Sequence, residues 1–103
     1  MENNKPAYFI FDVKIHDPVA LKPYQEQVAA TYKPYGGKRL VAAGKTETIE
    51  GDDPKGILVI LQFDSVEKAH AWHDSPEYQA LIPFRVAATD TTCWLVEGVA
   101  PAI

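Results

Sequence analysis

Asp12 is the first candidate for acid–base chemistry in this sequence. It belongs to an alternating segment, residues 7–15, in which Phe9 and Phe11 point to one side and Asp12 points to the other. A carboxylate held in an apolar cleft can act as a general base. The alternative is structural, an ion pair at the rim of the sheet with one of the basic residues Lys14, Lys38 or Arg39.

His73 is the second acid–base candidate, and it adjoins Trp72 in a predicted helix. His70 lies three positions earlier and therefore on a neighbouring part of the helix surface, which is one requirement of a metal site. The sequence offers no third or fourth ligand at a suitable spacing, so we expect no metal. Gly36-Gly37 precedes a strand, whereas phosphate-binding loops precede helices, and we expect no cofactor.

Arg39 and Arg85 are candidate contacts for an anionic group of a substrate, because a guanidinium binds a carboxylate through two parallel hydrogen bonds. For Arg85 the alternative is an ion pair with Glu77 or Glu97. Candidate walls of the pocket come from aromatic residues on predicted helices, which either line a site for a flat ligand or fill the core. This set consists of Tyr24, Tyr32, Tyr35, Trp72 and Tyr78, with Trp72 and Tyr78 as the substrate-binding candidates.

The composition excludes several classes of function. The chain has 103 residues, of which 47% are hydrophobic and 23% charged, and this is typical of a single folded domain over residues 1–103. The net charge of -4 provides no basic surface for nucleic acid or an anionic membrane. No targeting segment or long apolar run is seen, so we expect a cytoplasmic protein. Cys93 is the lone cysteine, and we expect it to be buried and unreactive.

The first half of the chain predicts a strand, a helix and a second strand. Strand one covers residues 7–15, and Asp17-Pro18 is a typical helix start. Because Pro23 lacks an amide donor, we expect a short turn over residues 18–21 and the main helix from about Pro23. The helix ends near Pro34 and Gly36-Gly37. Residues 39–50 then predict a second strand, bent at Gly44.

The second half repeats this pattern. A turn at residues 51–56 leads to the apolar run 57–63, which predicts a central strand buried on both faces. Asp64-Ser65 caps a second helix, and Ser75-Pro76 starts a further helical segment that Pro83 is expected to break. The last strand is predicted over residues 91–99.

This order, βαββαβ, predicts an α+β ferredoxin-like fold with both helices on one face of a four-stranded antiparallel sheet. The opposite face then presents Leu58 and Ile60 together with Tyr8, Ile10 and, depending on the register, Trp94 or Leu95. Such an apolar face is rarely left exposed on a monomer. We therefore expect a homodimer that packs sheet against sheet.

The sequence also resembles a known family, the DUF1330 proteins of the dimeric α+β barrel superfamily. The resemblance implies the ferredoxin-like fold and a homodimer, and it implies no particular activity. Relatives in the wider superfamily include cofactor-independent monooxygenases and muconolactone isomerase. The matching residues are Asp17-Pro18, Tyr35-Gly36-Gly37-Lys38, Gly44, Glu50-Gly51, Phe63-Asp64-Ser65, Ala71-Trp72, Ser75-Pro76-Glu77-Tyr78, Arg85 and Val96-Glu97-Gly98.

Two hypotheses about function follow. In the first, each subunit of the homodimer is a cofactor-independent enzyme, monooxygenase-like or isomerase-like, with a small pocket for an aromatic or carbonyl metabolite. Asp12 or His73 is then the acid or base, and Arg39 or Arg85 contacts an anionic group. In the second, the protein is a non-catalytic module that binds a ligand or a protein partner.

Overall fold

A computed structural model describes residues 5–101, and within this range four strands and four helices follow one another along the chain. A short 3₁₀ turn, Lys33–Tyr35, follows the first helix. The elements are β1 (Ala7–Ile15), α1 (Pro18–Tyr32), β2 (Lys38–Ala42), β3 (Ile57–Phe63), α2 (Val66–His73), α3 (Pro76–Gln79), α4 (Ile82–Ala88) and β4 (Thr89–Glu97).

The described strands form one sheet in the order β2-β3-β1-β4, and all neighbouring strands are antiparallel. β1 and β3 are central, as the apolar sequence of β3 predicts. The three short helices α2, α3 and α4 together make the second helical connection. The predicted α+β, ferredoxin-like fold is therefore confirmed.

The core lies between the helices and one face of the sheet. Phe9, Phe11 and Val13 of β1 face this side, together with Leu61 and Phe63 of β3. The helices contribute their largest aromatic side chains, and α1 packs against α4 and α3. The fully buried side chains of greatest volume are Trp72, Tyr78 and Phe63.

The outer face of the sheet carries apolar side chains that the described part of the chain does not bury. Trp94 lies beside Ile10 in the register of β4 with β1, and Ile10 lies beside Ile60 of β3. Ile10 and Ile60 are half-buried, and Trp94 remains 51% exposed. The register thus places Trp94 on this face, whereas Leu95 packs against the core on the other side.

The second strand is shorter than predicted. β2 ends at Ala42, and residues 43–56 form an irregular connection instead of continuing to residue 50. A bulge lies between Arg39 and Val41, where the register shifts, rather than at Gly44. Ala43 adopts a left-handed backbone conformation with φ of 62°, which ends the extended chain. The Ala43 amide still donates to the carbonyl of Leu58 at 2.8 Å, but β3 begins only at Ile57, so no strand remains for residues 45–50 to pair with.

Two prolines act differently from the prediction. Pro23 lies inside a continuous α1. The proline removes only the hydrogen bond to the carbonyl of Val19, which lies in the exposed first turn of the helix, where water can replace the missing amide. Pro83 begins α4 instead of breaking a helix, since an N-terminal amide of a helix has no internal partner.

β4 runs from Thr89 to Glu97, two residues earlier than predicted. No helix among residues 5–101 is long and apolar enough to cross a membrane.

Candidate functional site

A cavity of about 280 Å³ lies between α1 and the inner face of the sheet. The residues that line it are Phe11, Val13, Ile15, Leu21, Tyr24, Gln25, Val28, Tyr32, Arg39, Ala42, Ala43, Ile57, Val59, Leu61 and Arg85. The walls are mainly aliphatic and aromatic, as in small-molecule binding sites.

Helical spacing on α1 explains one wall. Leu21, Tyr24, Val28 and Tyr32 follow one another at intervals of three or four residues and therefore share one helix face, which Gln25 borders. The same spacing predicted that Tyr24 and Tyr32 face the sheet. Gln25 carries a polar side chain at this face and is a residue that the sequence prediction missed.

Arg85 projects from α4 into this apolar environment. Its guanidinium carbon lies 5.8 Å from the centre of the Phe11 ring and 5.9 Å from the centre of the Tyr24 ring. These distances allow cation–π contacts. Its Nε is buried and has no hydrogen-bond partner among the described residues. The predicted alternative, an ion pair with Glu77 or Glu97, is not formed in the described part of the chain.

The hydroxyl groups of Tyr24 and Tyr78 lie 2.7 Å apart and form a hydrogen bond behind the cavity wall. Burial raises the pKa of Tyr24 well above its usual value, and the nearby Tyr78 raises it further. Burial also raises the pKa of Tyr78, although the positive charge of Arg85 partly opposes the effect on both groups. Both side chains are therefore neutral near pH 7 and can act as hydrogen-bond donors.

Arg39 reaches the cavity from the edge strand β2. Its register with Leu61 places it on the inner face of the sheet, and the residue is exposed at the rim. The structure thus brings Arg39 and Arg85 to one cavity; Arg39 is exposed, whereas Arg85 is half-buried and its Nε is buried.

Trp72 and Tyr78 do not line the cavity. Both are completely buried in the aromatic part of the core, with their ring centres 4.0 Å apart. The Trp72 indole donates a hydrogen bond to the Thr31 hydroxyl at 3.0 Å. Their predicted role as pocket walls is therefore corrected, because the α2 and α3 helices point them into packed core. Tyr78 contacts two residues of the cavity lining, Tyr24 and Arg85, from outside it.

His73 lies at the end of α2, outside the set of residues that line the cavity. Its ring stacks on Phe9 with 5.6 Å between ring centres and an interplanar angle of 24°. Its Nδ1 lies 3.6 Å from a carboxylate oxygen of Asp74. The described surroundings of His73 are those of an aromatic residue at the edge of the core.

Asp12 lies on the outer face of the sheet and is buried. Its two carboxylate oxygens accept hydrogen bonds from the backbone amides of Lys55 and Gly56, at 3.0 and 2.9 Å. The predicted ion pair with Lys14, Lys38 or Arg39 is not formed among the described residues. Asp12 instead fixes the end of the connection 43–56, and the sheet separates it from the cavity.

Cys93 is exposed, which contradicts the predicted burial. β4 is an edge strand, so the helices do not cover this position although Cys93 pairs with Phe11 in the register. Partial burial of the thiol still raises its pKa to about 11.

Within residues 5–101, no group of three or more His, Cys, Asp or Glu side chains is placed to hold a metal ion.

Comparison with known proteins identifies a family and a fold. The family model described as "Domain of unknown function (DUF1330)" matches residues 6–99. No curated protein matches the sequence.

Three solved structures illustrate the fold. A protein of unknown function from Rhodopseudomonas palustris is similar with a TM-score of 0.71 and 19% identity, covering 95% of this chain and 85% of that one. SnoaB, a cofactor-independent oxygenase from Streptomyces nogalater, is similar with a TM-score of 0.64 and 13% identity over 96% of each chain. A dimeric ferredoxin-like protein of unknown function from Thermobifida fusca has a TM-score of 0.60 and 12% identity over 93% of each.

Proposed function

Because the chain belongs to the DUF1330 family of domains of unknown function, we propose its function from the geometry of the cavity: each subunit binds a small aromatic or carbonyl metabolite between α1 and the sheet. The observation that carries this proposal is the cavity itself, which combines apolar walls with a few polar groups. Its volume of about 280 Å³ suits a ligand of one ring with short substituents.

Filling the cavity should abolish ligand binding. Val28 lies on the cavity face of α1, and Val28→Trp would place an indole in the space that a ligand occupies. A ligand that binds only the folded protein at 100 times its Kd adds about 2.7 kcal/mol of stability, which raises the Tm of a domain of this size by roughly 10–20 °C. We expect this shift with the wild type and its loss in Val28→Trp, measured by thermal denaturation with a panel of aromatic and carbonyl compounds.

Val19→Trp is the matched control, because Val19 belongs to the same helix and is 74% exposed. The control should keep the full ligand-dependent shift. If Val28→Trp kept the shift as well, the ligand would bind elsewhere and the proposal would be wrong.

Cofactor-independent catalysis on the bound ligand is the second candidate. It is supported by the Arg85 cation in the cavity lining, since a positive charge stabilises negative charge that develops on a carbonyl oxygen. The oxygenase activity named for SnoaB accords with it. Asp12 and His73 lie outside the cavity, so neither is assigned a role in this chemistry. Chromatography of a bound compound after incubation with the protein separates the candidates, because an enzyme converts the compound and a binding module returns it unchanged.

The functional unit is proposed to be a homodimer formed through the outer face of the sheet. Ile10, Ile60 and Trp94 make a continuous apolar row on this face, and a second copy would bury it. The Thermobifida fusca protein of the same fold is described as dimeric.

A charge at the centre of this face should separate the subunits. We expect the wild type to sediment at roughly twice 11.4 kDa at micromolar concentration, and Ile60→Lys to sediment as a monomer. Val86→Lys provides the control, since Val86 is a 62% exposed residue on α4, away from the sheet face, and should leave the dimer intact. A wild-type monomer would refute the dimer.

A further inference from the structure

The residues that line the cavity carry the opposite sign of charge from the protein as a whole. The chain has a net charge of -4, yet the residues that line the cavity include Arg39 and Arg85 and no Asp or Glu. The interior site is therefore positive in an acidic protein. A field of this sign favours an anionic ligand.

Arg85 has no acidic partner among the described residues, although the hydroxyls of Tyr24 and Tyr78 lie close to its guanidinium. No carboxylate among the described residues lies within ion-pair distance of it, and its buried Nε donates no hydrogen bond. An unpaired buried donor destabilises the folded protein. The faces of Phe11 and Tyr24 offset part of this cost through their cation–π contacts but accept no conventional hydrogen bond. The ligand-free protein thus holds a partly buried positive charge without an acidic counter-ion in the described chain.

The surroundings of Arg85 restrict the kind of anion. The planar guanidinium matches a carboxylate through two parallel hydrogen bonds. Tyr24 lines the same side of the cavity, and its hydroxyl shares a hydrogen bond of 2.7 Å with that of Tyr78. The remaining walls near these groups are apolar, including Val28 and Val59, and they suit a hydrocarbon ring rather than the several charged oxygens of a phosphate ester.

Building on the function proposed above, we propose that the cavity binds a small aromatic monocarboxylate, with its carboxylate on Arg85 and its ring against the aliphatic wall. Arg85 is then a substrate-binding residue whose charge has no acidic partner in the described chain until the ligand arrives. Arg39 lies at the rim and is exposed, so the buried contact is assigned to Arg85.

Benzoate, benzamide and inorganic phosphate are the probes. Benzamide has the size and shape of benzoate without its charge, so their comparison isolates the contribution of the anion. We expect isothermal titration to show benzoate binding the wild type at least about ten-fold more tightly than benzamide. In Arg85→Gln, benzoate affinity should fall by about ten- to a hundred-fold while benzamide affinity stays unchanged. Lys22→Gln removes a charge from an exposed site on α1 outside the cavity lining and should behave as wild type.

The stability of the ligand-free protein provides a second readout. Arg85→Met removes the charge and the unpaired Nε, so its urea midpoint should equal or exceed that of the wild type. A purely structural arginine would give the opposite result, a clearly lower midpoint.

The outcomes distinguish the two proposals. If benzoate and benzamide bind equally and Val28→Trp abolishes both, the cavity is a ligand site but the assignment of a carboxylate to Arg85 is wrong. Phosphate binding more tightly than benzoate would also overturn this assignment. If neither aromatic probe binds at millimolar concentration, the carboxylate assignment is wrong, and the compound panel with Val28→Trp decides separately whether the cavity is a ligand site.

Discussion

Replacing Trp72 by alanine should lower the free energy of unfolding by about 3–5 kcal/mol, the range observed for large aromatic residues in protein cores. Trp72 is 0% exposed and joins the sheet to the helices. Its ring centre lies 5.3 Å from those of Phe9 and Phe63 and 4.0 Å from that of Tyr78. Domains of this size have roughly 5–15 kcal/mol of stability, so the variant would lose a large part of it.

Two further variants separate packing from hydrogen bonding at this position. Trp72→Phe keeps most of the ring but loses the bond from the indole to Thr31, so we expect a smaller loss, about 1–2 kcal/mol. Thr31 remains hydrogen-bonded, because its hydroxyl also donates to the carbonyl of Val28 at 2.6 Å. His70→Ala, on the exposed side of α2, should change stability by less than about 0.5 kcal/mol.

Urea unfolding at a fixed protein concentration measures these differences, because oligomerisation makes stability depend on concentration. A loss in Trp72→Ala as small as that in His70→Ala would show that the ring is not part of the packed core. The described arrangement of α2 against the sheet would then be incorrect.

Gly56→Ala should cost about 3 kcal/mol or more. A Cβ atom at Gly56 would lie 1.9 Å from the carbonyl oxygen of Val13, which belongs to the backbone of a central strand and cannot move aside easily. The displaced chain would also withdraw the Gly56 amide from Asp12, leaving a buried carboxylate with one fewer donor. Overpacking and the lost hydrogen bond each contribute about 1–3 kcal/mol.

Gly44→Ala is the matched control within the same connection. A Cβ atom at Gly44 would meet no atom within 4 Å, so alanine should be neutral or stabilise by up to about 1 kcal/mol through the unfolded state. Urea unfolding of the two variants side by side gives the comparison. Equal stability for Gly56→Ala and Gly44→Ala would contradict the close approach of the connection to β1.

The sequence was sufficient for the architecture because its signals are local. Alternation in β1, the continuous apolar run of β3 and the caps at Asp17, Ser65 and Ser75 identify elements from neighbouring residues alone. Proline was ambiguous, because its effect depends on its position within a helix. At Pro83 the same ring that disrupts a helix interior begins α4.

The candidate site was predicted only in part. Residue type marks Arg39 and Arg85 as candidates to contact an anion, and both line the cavity, but it cannot show that Trp72 and Tyr78 lie outside the lining. Whether an aromatic residue at helical spacing faces a cavity or packed core depends on how the helices lie on the sheet. The register of β4 likewise decides that Trp94 is on the outer face.

The sequence by itself determined the order of elements, the central position of β3 and the acidic charge that disfavours nucleic acid, since each follows from composition or short-range pattern. Only the tertiary structure decided which polar groups meet. Asp12 faces two backbone amides from residues more than forty positions away, and Arg85 lies between Phe11 and Tyr24 with no acidic partner in the described chain. Such contacts join distant segments, and no local pattern encodes the distance between them.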